Sequence, residues 1–288
     1  PGYSFWTSGP KLLRSEVWSI VPPMSDPSLS SPGGEDPAFE ICNPRATVPV
    51  LLVCDHATAI IPERYERLGL DPTILHRHVA WDIGAADLAR RLAHVLGATA
   101  VLSRFSRLLI DPNRSLDHPT LVPAESDGVL VPANRDLPRT EIEDRIARYH
   151  RPYHDAIEAQ LKRLGAGGQV SALVAVHSFT PVMEGVERPW HVGLLWNRDP
   201  RLRDGLLKVL DGDPSVVVGD NEPYTGKTHN YTADRHGSDA GLPHISLELR
   251  QDLIDTHHEA EHWANFLSGK LKQVIANLSP FTIRHYGR

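Results

Sequence analysis

The sequence predicts a single α/β domain with a central sheet and helices on both faces. Three observations carry this. Val50-Leu51-Leu52-Val53-Cys54 and Ala172-Leu173-Val174-Ala175-Val176 are unbroken apolar runs of strand length, the pattern of strands buried on both faces. Helix-length segments with apolar residues at three- and four-residue spacing lie between and after them, as in Leu88, Leu92 and Leu96. Finally, residues 46–278 contain neither an internal repeat nor a composition break that would mark a linker.

The elements follow in order. Residues 1–37 are rich in Ser, Pro and Gly and lack the basic start and apolar stretch of a secretory signal, so residues 1–45 are expected to form a mostly disordered leader. Val48 to Cys54 is the first strand, and Pro62 opens a short helix with proline in its first turn. Asp82 precedes a helix from Ile83 to Leu96, which Gly97 stops. Ala98 to Leu102 and Leu108 to Ile110 read as strands, the second ending in Asp111-Pro112-Asn113-Arg114, where Pro112 forces an extended or turning backbone. The proline-spaced stretch from Asp117 to Leu137 reads as a long surface loop, a length often used for functional lids. A helix from Thr140 to Gly165 should kink at Pro152. Strands follow at Ala172 to Val176, Val192 to Trp196 and Val216 to Val218, with a helix over Leu202 to Leu210. Asp220 to Gly241 is polar and unperiodic. Ile245 to Leu249 forms the last strand, His257 to Ile275 the closing amphipathic helix, and residues 279–288 a C-terminal tail.

Bulk properties narrow the function. With 41% hydrophobic and 23% charged residues the chain has the composition of an ordinary globular protein. No run nears the roughly 18 apolar residues of a membrane span. A net charge of -6 without a Lys/Arg run leaves no electrostatic footprint for nucleic acid or an anionic membrane. A small molecule is the expected partner. Cys42 and Cys54 form no C-x-x-C pair, which argues against a thiol zinc site or a disulfide framework and for a cytoplasmic setting.

Of the 16 histidines, His76, His78, His94, His257, His258 and His262 read as surface-helix or loop positions; His56, His177 and His236 stand beside strand ends or glycine turns. Open α/β sheets bind ligands at the carboxyl ends of their strands, and here three strand ends carry compatible groups: Asp55-His56, His177, and Glu248 with Arg250. Two imidazoles and a carboxylate are the ligand set of a catalytic zinc that keeps a position open for water. Arg114 suits carboxylate recognition, because a guanidinium presents paired planar donors. Arg104 and Arg107 lie close enough in sequence to hold a second carboxylate. Tyr231 and His236 could line the pocket, and His150 and His154, flanking Pro152, could face it or cap the kink.

The ordered motifs Asp-His-Ala-x(4)-Pro, Trp-Asp-Ile-Gly-Ala, Ser-Arg-Leu-Leu-Ile-Asp-Pro-Asn-Arg, Tyr-His-x-Pro-Tyr-His, Val-His-Ser-Phe-Thr-Pro and Leu-Glu-Leu-Arg span about residues 48–270. Together they resemble the N-formylglutamate amidohydrolase family. The resemblance implies a fold related to the zinc carboxypeptidases and acylamino-acid deacylases, a single α/β domain with a central mixed, mostly parallel sheet. It also implies a cofactor, Zn2+ or another divalent metal, and hydrolysis of the N-formyl or short N-acyl bond of an amino acid, typically N-formylglutamate. Carried over, His56 and His177 look like metal ligands, Glu248 like the carboxylate that activates the attacking water, and Asn113-Arg114 like the pair that grips a substrate carboxylate. Arg107 joins Glu248 as a catalytic candidate; Ser178, Arg250 and His236 join the substrate-binding set. Relatives place a carboxylate ligand three residues after the first histidine, where this chain has Ala59. Asp82 and Asp55 are the candidates for the third ligand, with Asp82 ahead; Asp82 could otherwise cap its helix, and Asp55 could orient His56. The competing readings are a relative acting on another N-acyl amino acid or peptide-like amide, and a carboxylate-binding homologue without catalysis.

Overall fold

Seven strands form one mixed sheet in the computed structural model, which describes residues 37–287: β1 (Phe39–Cys42), β2 (Val50–Cys54), β3 (Thr99–Ser103), β4 (Ala172–Phe179), β5 (Val192–Leu195), β6 (Val218–Asp220) and β7 (His244–Arg250). Their spatial order is β1-β3-β2-β4-β7-β5-β6. The four central strands, β3-β2-β4-β7, run parallel. β1 on β3 and β5 on β7 are antiparallel, and β6 is parallel to β5. Five helices surround the sheet: α1 (Ala85–Leu96), α2 (Arg139–Arg145), α3 (Arg151–Leu164), α4 (Arg201–Leu210) and α5 (His257–Leu278).

The apolar runs behave as strands covered on both sides. Val50, Leu52 and Cys54 enter one core with α1, α4 and α5; Leu51 and Val53 enter the other with α3 and its neighbouring loops. That split is the two-residue alternation of strand side chains. Each buried leucine contributes roughly 1.5–3 kcal/mol. Helix α1 buries Ala85, Leu88, Ala89, Leu92 and Leu96 on one stripe, and Gly97 ends it in the left-handed region at φ 65°. Among the described residues no helix is long and apolar enough to cross a membrane.

Several expectations change. Phe39–Cys42, assigned above to the leader, is the half-buried edge strand β1; residues 1–36 lie outside the described residues. Leu108 to Ile110 is fully buried but is a turn. Its carbonyls find side chains instead of a strand: Asn134 Nδ2 donates to Leu108 at 2.7 Å and Arg145 Nη1 to Leu109 at 3.0 Å. β1 and β2 already occupy both edges of β3. Pro152 does not simply kink the long helix; a π-helical turn at Ile146–His150 separates α2 from α3, and such turns recur at functional sites. The loop from Asp117 to Leu137 carries a small hairpin, Glu125–Ser126 with Val129–Leu130. Within the tail, Phe281 is buried against the core and the Arg284 amide donates to the Gly241 carbonyl.

Candidate active site

The carboxyl ends of β2, β4 and β7 lie side by side and deliver Asp55-His56, His177 and Glu248. Parallel register places Glu248 directly beside His177. Asp82 arrives from the loop before α1. It does not cap that helix: Gly84 occupies the N-cap position at φ 79°, with no side-chain cap. A Cβ on Gly84 would sit 2.2 Å from the Ile254 carbonyl, so glycine is needed both for the left-handed turn and for close packing. The Asp82 carboxylate is thereby left to point at the histidines.

Asp82 Oδ2 lies 2.8 Å from His177 Nδ1 and 3.3 Å from His56 Nδ1. These three atoms are the one cluster among the described residues whose donor atoms all approach within 4.8 Å. Both imidazoles face it through Nδ1 and turn Nε2 to a second buried carboxylate. His56 Nε2 donates to Asp111 Oδ1 at 2.8 Å, and His177 Nε2 lies 3.2 Å from Asp55 Oδ2. Asp55 is held in turn by Tyr153 Oη at 2.9 Å and Thr232 Oγ1 at 2.8 Å. Carboxylates behind both histidines fix ring orientation and raise ligand basicity, an arrangement characteristic of metal-binding histidines. Nitrogen, nitrogen and oxygen donors within one small volume fit a divalent cation of the zinc type.

The electrostatics agree with that geometry. Burial disfavours ionisation of Asp82, but His56 and His177 outweigh it and hold the carboxyl well below its usual range. Asp111 is held low despite burial by His56 and Arg107, and Asp55 by His177. Conversely, Asp55 and Asp82 push His177 well above 6.5 against its own burial. Glu248 goes the other way. Burial, reinforced by the Asp82 charge, raises it from 4.5 to about 7, with His177 opposing. A carboxyl poised near neutrality in a cleft is a candidate general base.

The cleft encloses about 280 Å³ and is lined by His56, Asp82, His177 and Glu248. Arg107, Asn113, Arg114, Ser178, Phe179, Thr180 and Tyr224 also line it, together with Met183 and the Ser126-Asp127 hairpin tip. Arg107 Nη2 donates to Asp111 Oδ2 at 3.1 Å and Nη1 stands 3.5 Å from Asp82 Oδ1. The Asn113-Arg114 loop is pinned from behind: His154 Nε2 donates to the Pro112 carbonyl and His150 Nε2 to the Arg114 carbonyl, each at 2.9 Å. Thr232 N donates to Asn113 Oδ1 at 3.0 Å. Arg114 Nε is buried without a partner. The Ser178 hydroxyl donates to the Ile83 carbonyl at 2.7 Å and its amide stands 3.4 Å from Asp82 Oδ2, so it braces Asp82.

Of the residues selected from the sequence, the fold brings His56, Asp82, His177, Glu248, Arg107, Asn113, Arg114 and Ser178 to this cleft. It does not bring Arg250 or His236 there. Arg250 pairs with Asp252 at 2.8 Å outside the cleft. His236 stacks on His154, with 2.8 Å between His154 Nδ1 and His236 Nε2, and burial lowers it to about 4. Two contributors escaped sequence reasoning. Asp111 had been read only as a turn residue, although its place in Asp-Pro-Asn-Arg was the available signal. Tyr224 sits in an unperiodic segment, and Gly193 on β5 makes room for that segment: a Cβ there would meet the Glu222 carbonyl at 2.2 Å and Glu248 Cβ at 3.1 Å.

A family model described as N-formylglutamate amidohydrolase matches residues 48–255. Among solved structures, the gene product Atu2144 from Agrobacterium tumefaciens shares 36% identity at a TM-score of 0.82, over 84% of this chain and 96% of its own. An N-formylglutamate amidohydrolase from Ralstonia eutropha JMP134 aligns at 20% identity and a TM-score of 0.61, over 84% of this chain and 96% of that one. At that identity the likeness is one of fold. No curated protein matches the chain.

Proposed function

The chain belongs to the N-formylglutamate amidohydrolase family, and from that membership we propose that it is a zinc-dependent hydrolase releasing formate from an N-formyl amino acid, foremost N-formyl-L-glutamate. The observation that carries the reading is the convergence of His56 Nδ1, Asp82 Oδ2 and His177 Nδ1, with a buried carboxylate behind each imidazole. These three side chains would hold the cation. Bound there, a divalent metal supplies Lewis-acid polarisation of the acyl carbonyl and lowers the pKa of water to roughly 7.

The remaining work falls to the chain's own groups. Glu248, beside His177 and raised to about 7, takes the proton of the attacking water at its carboxylate and returns it to the departing amine nitrogen. Arg114, with Asn113 beside it, grips the α-carboxylate through paired donors. Arg107 keeps a cation at the cleft beside the reacting centre, where negative charge develops on the carbonyl oxygen. The pocket walls exclude bulk water and so strengthen each of these interactions.

The deciding experiment is metal analysis of the purified protein together with formate release from N-formylglutamate before and after chelation. One metal per chain, and activity lost on removal and regained on re-addition of zinc, is the expected result. Turnover that survives complete removal would rule out the mechanism.

A further inference from the structure

We infer that Arg188 is the cation that receives the side-chain carboxylate of the substrate and so selects an acidic amino acid; this rests on the amidohydrolase reading above. A formyl dicarboxylic amino acid needs two cationic sites besides the metal centre. Arg114 serves one. The sequence neighbours expected for the other are unsuited: Arg107 already faces Asp111 and Asp82, and Arg104 lines a separate groove with Ala57 and Thr58. His78, at the cleft mouth, is paired with Asp127 at 2.9 Å.

Arg188 is different. Its Nη1 donates to Tyr224 Oη at 2.9 Å, to Thr180 Oγ1 at 3.2 Å and to the Thr180 carbonyl at 3.5 Å. All three partners are neutral, and Arg188 makes no ion pair among the described residues. Other arginines of similar exposure do: Arg201 is tied to Asp199 and Arg203 to Asp220. The guanidinium carbon lies 4.8 Å from the Tyr224 ring and 6.0 Å from that of Phe179. Tyr224, Phe179 and Thr180 line the catalytic cleft, and Arg188 is held against all three, one layer behind that lining.

A guanidinium held by one nitrogen and stacked on aromatic rings is rotationally fixed, with Nε and Nη2 left for a planar, two-point carboxylate contact. Neutral partners leave its charge uncompensated, and the aromatic wall lowers the local dielectric, so an incoming carboxylate is attracted more strongly than at an open surface. Phe179 and Met183 offer apolar surface to the methylenes that join the two carboxylates of the substrate.

The test compares kcat/KM for N-formylglutamate and its neutral isostere N-formylglutamine in wild type, Arg188→Met and Arg188→Lys. Wild type should favour the acid by about 10- to 100-fold, the worth of a hydrogen bond to a charged group. In Arg188→Met that ratio should fall to about 1, mainly through KM for the acid. Arg188→Lys, which keeps the charge but loses the fork, should fall between. A wild type indifferent to the two substrates, or variants that keep the wild-type ratio, would overturn the assignment. If wild type turns over neither compound, the amidohydrolase reading fails by itself. Calorimetric binding of L-glutamate and L-glutamine to zinc-loaded wild type and Arg188→Lys then decides the role of Arg188: a glutamate preference weakened by the substitution supports it, and equal binding overturns it.

Discussion

The two sides of the cleft are built differently. On one side His177 and Glu248 sit within adjacent strands, locked by parallel register and backed by Asp55, which is fully buried. On the other, His56 leaves the end of β2 and is backed by Asp111, whose other oxygen takes Arg107 and whose loop carries Asn113 and Arg114. On the proposed reading, the loop side ties a metal ligand to substrate recognition through one aspartate, Asp111. On that same reading, strand ends supply His177 and the base Glu248, while a loop held by side chains supplies the substrate-gripping Asn113 and Arg114, a division expected when a scaffold positions variable binding segments.

Substitutions can break this contrast. The largest effect is expected on the strand side: Glu248→Gln should lower kcat by roughly 10²- to 10⁴-fold, with metal content and KM close to wild type. Steady-state kinetics with metal analysis reads this directly, and a fully active variant would remove Glu248 as the base. Next come the two orienting aspartates. Asp55→Asn and Asp111→Asn should each weaken metal affinity by about 10- to 100-fold. They should differ in substrate binding, because only Asp111→Asn also loosens Arg107 and the Asn113 amide, and so raises KM once metal is saturating. Equal KM values in the two variants would show that the sides are not distinct in this way.

The sequence exposed the strand side more fully than the loop side, for physical reasons. β2 and β4 were legible because burial on both faces demands continuous apolar residues, and a polar residue at the end of such a run stands out. Partnership across the sheet was not legible. Asp55 was weighed as the orienter of its neighbour His56, yet it serves His177, since successive residues of an extended chain point in opposite directions. Asp82 looked equally like a helix cap, and only the left-handed Gly84 after it frees the carboxylate. Leu108 to Ile110 satisfied every local criterion of a strand, but its hydrogen bonds go to Asn134 and Arg145, residues far along the chain. The edge strand β1, only half-buried and following a Pro/Gly-rich stretch, had too little apolar pattern to be seen.

The smallest effect, and the finest test of the strand side, concerns protons. In the metal-free protein Asp55 and Asp82 keep His177 charged well above pH 6.5, whereas a metal ligand must offer a free lone pair. On the proposed reading, metal uptake near neutral pH releases protons, and calorimetry in buffers of different ionisation enthalpy should detect the release; uptake without it would show that His177 is not held charged in the metal-free protein. The same shifts set a stability profile for the metal-free chain. Asp55, Asp82 and Asp111 have depressed values, so their contribution is present above about pH 4 and is lost as pH falls through their folded-state values. Glu248 is raised from 4.5 to about 7, so the folded state binds its proton more tightly than the unfolded chain, and its contribution is lost as pH rises between those values. Urea titrations of chelated protein at pH 5 and pH 8 should show that loss shrinking in Glu248→Gln. An unchanged pH dependence would mean that the Glu248 carboxyl is not perturbed by its place beside His177.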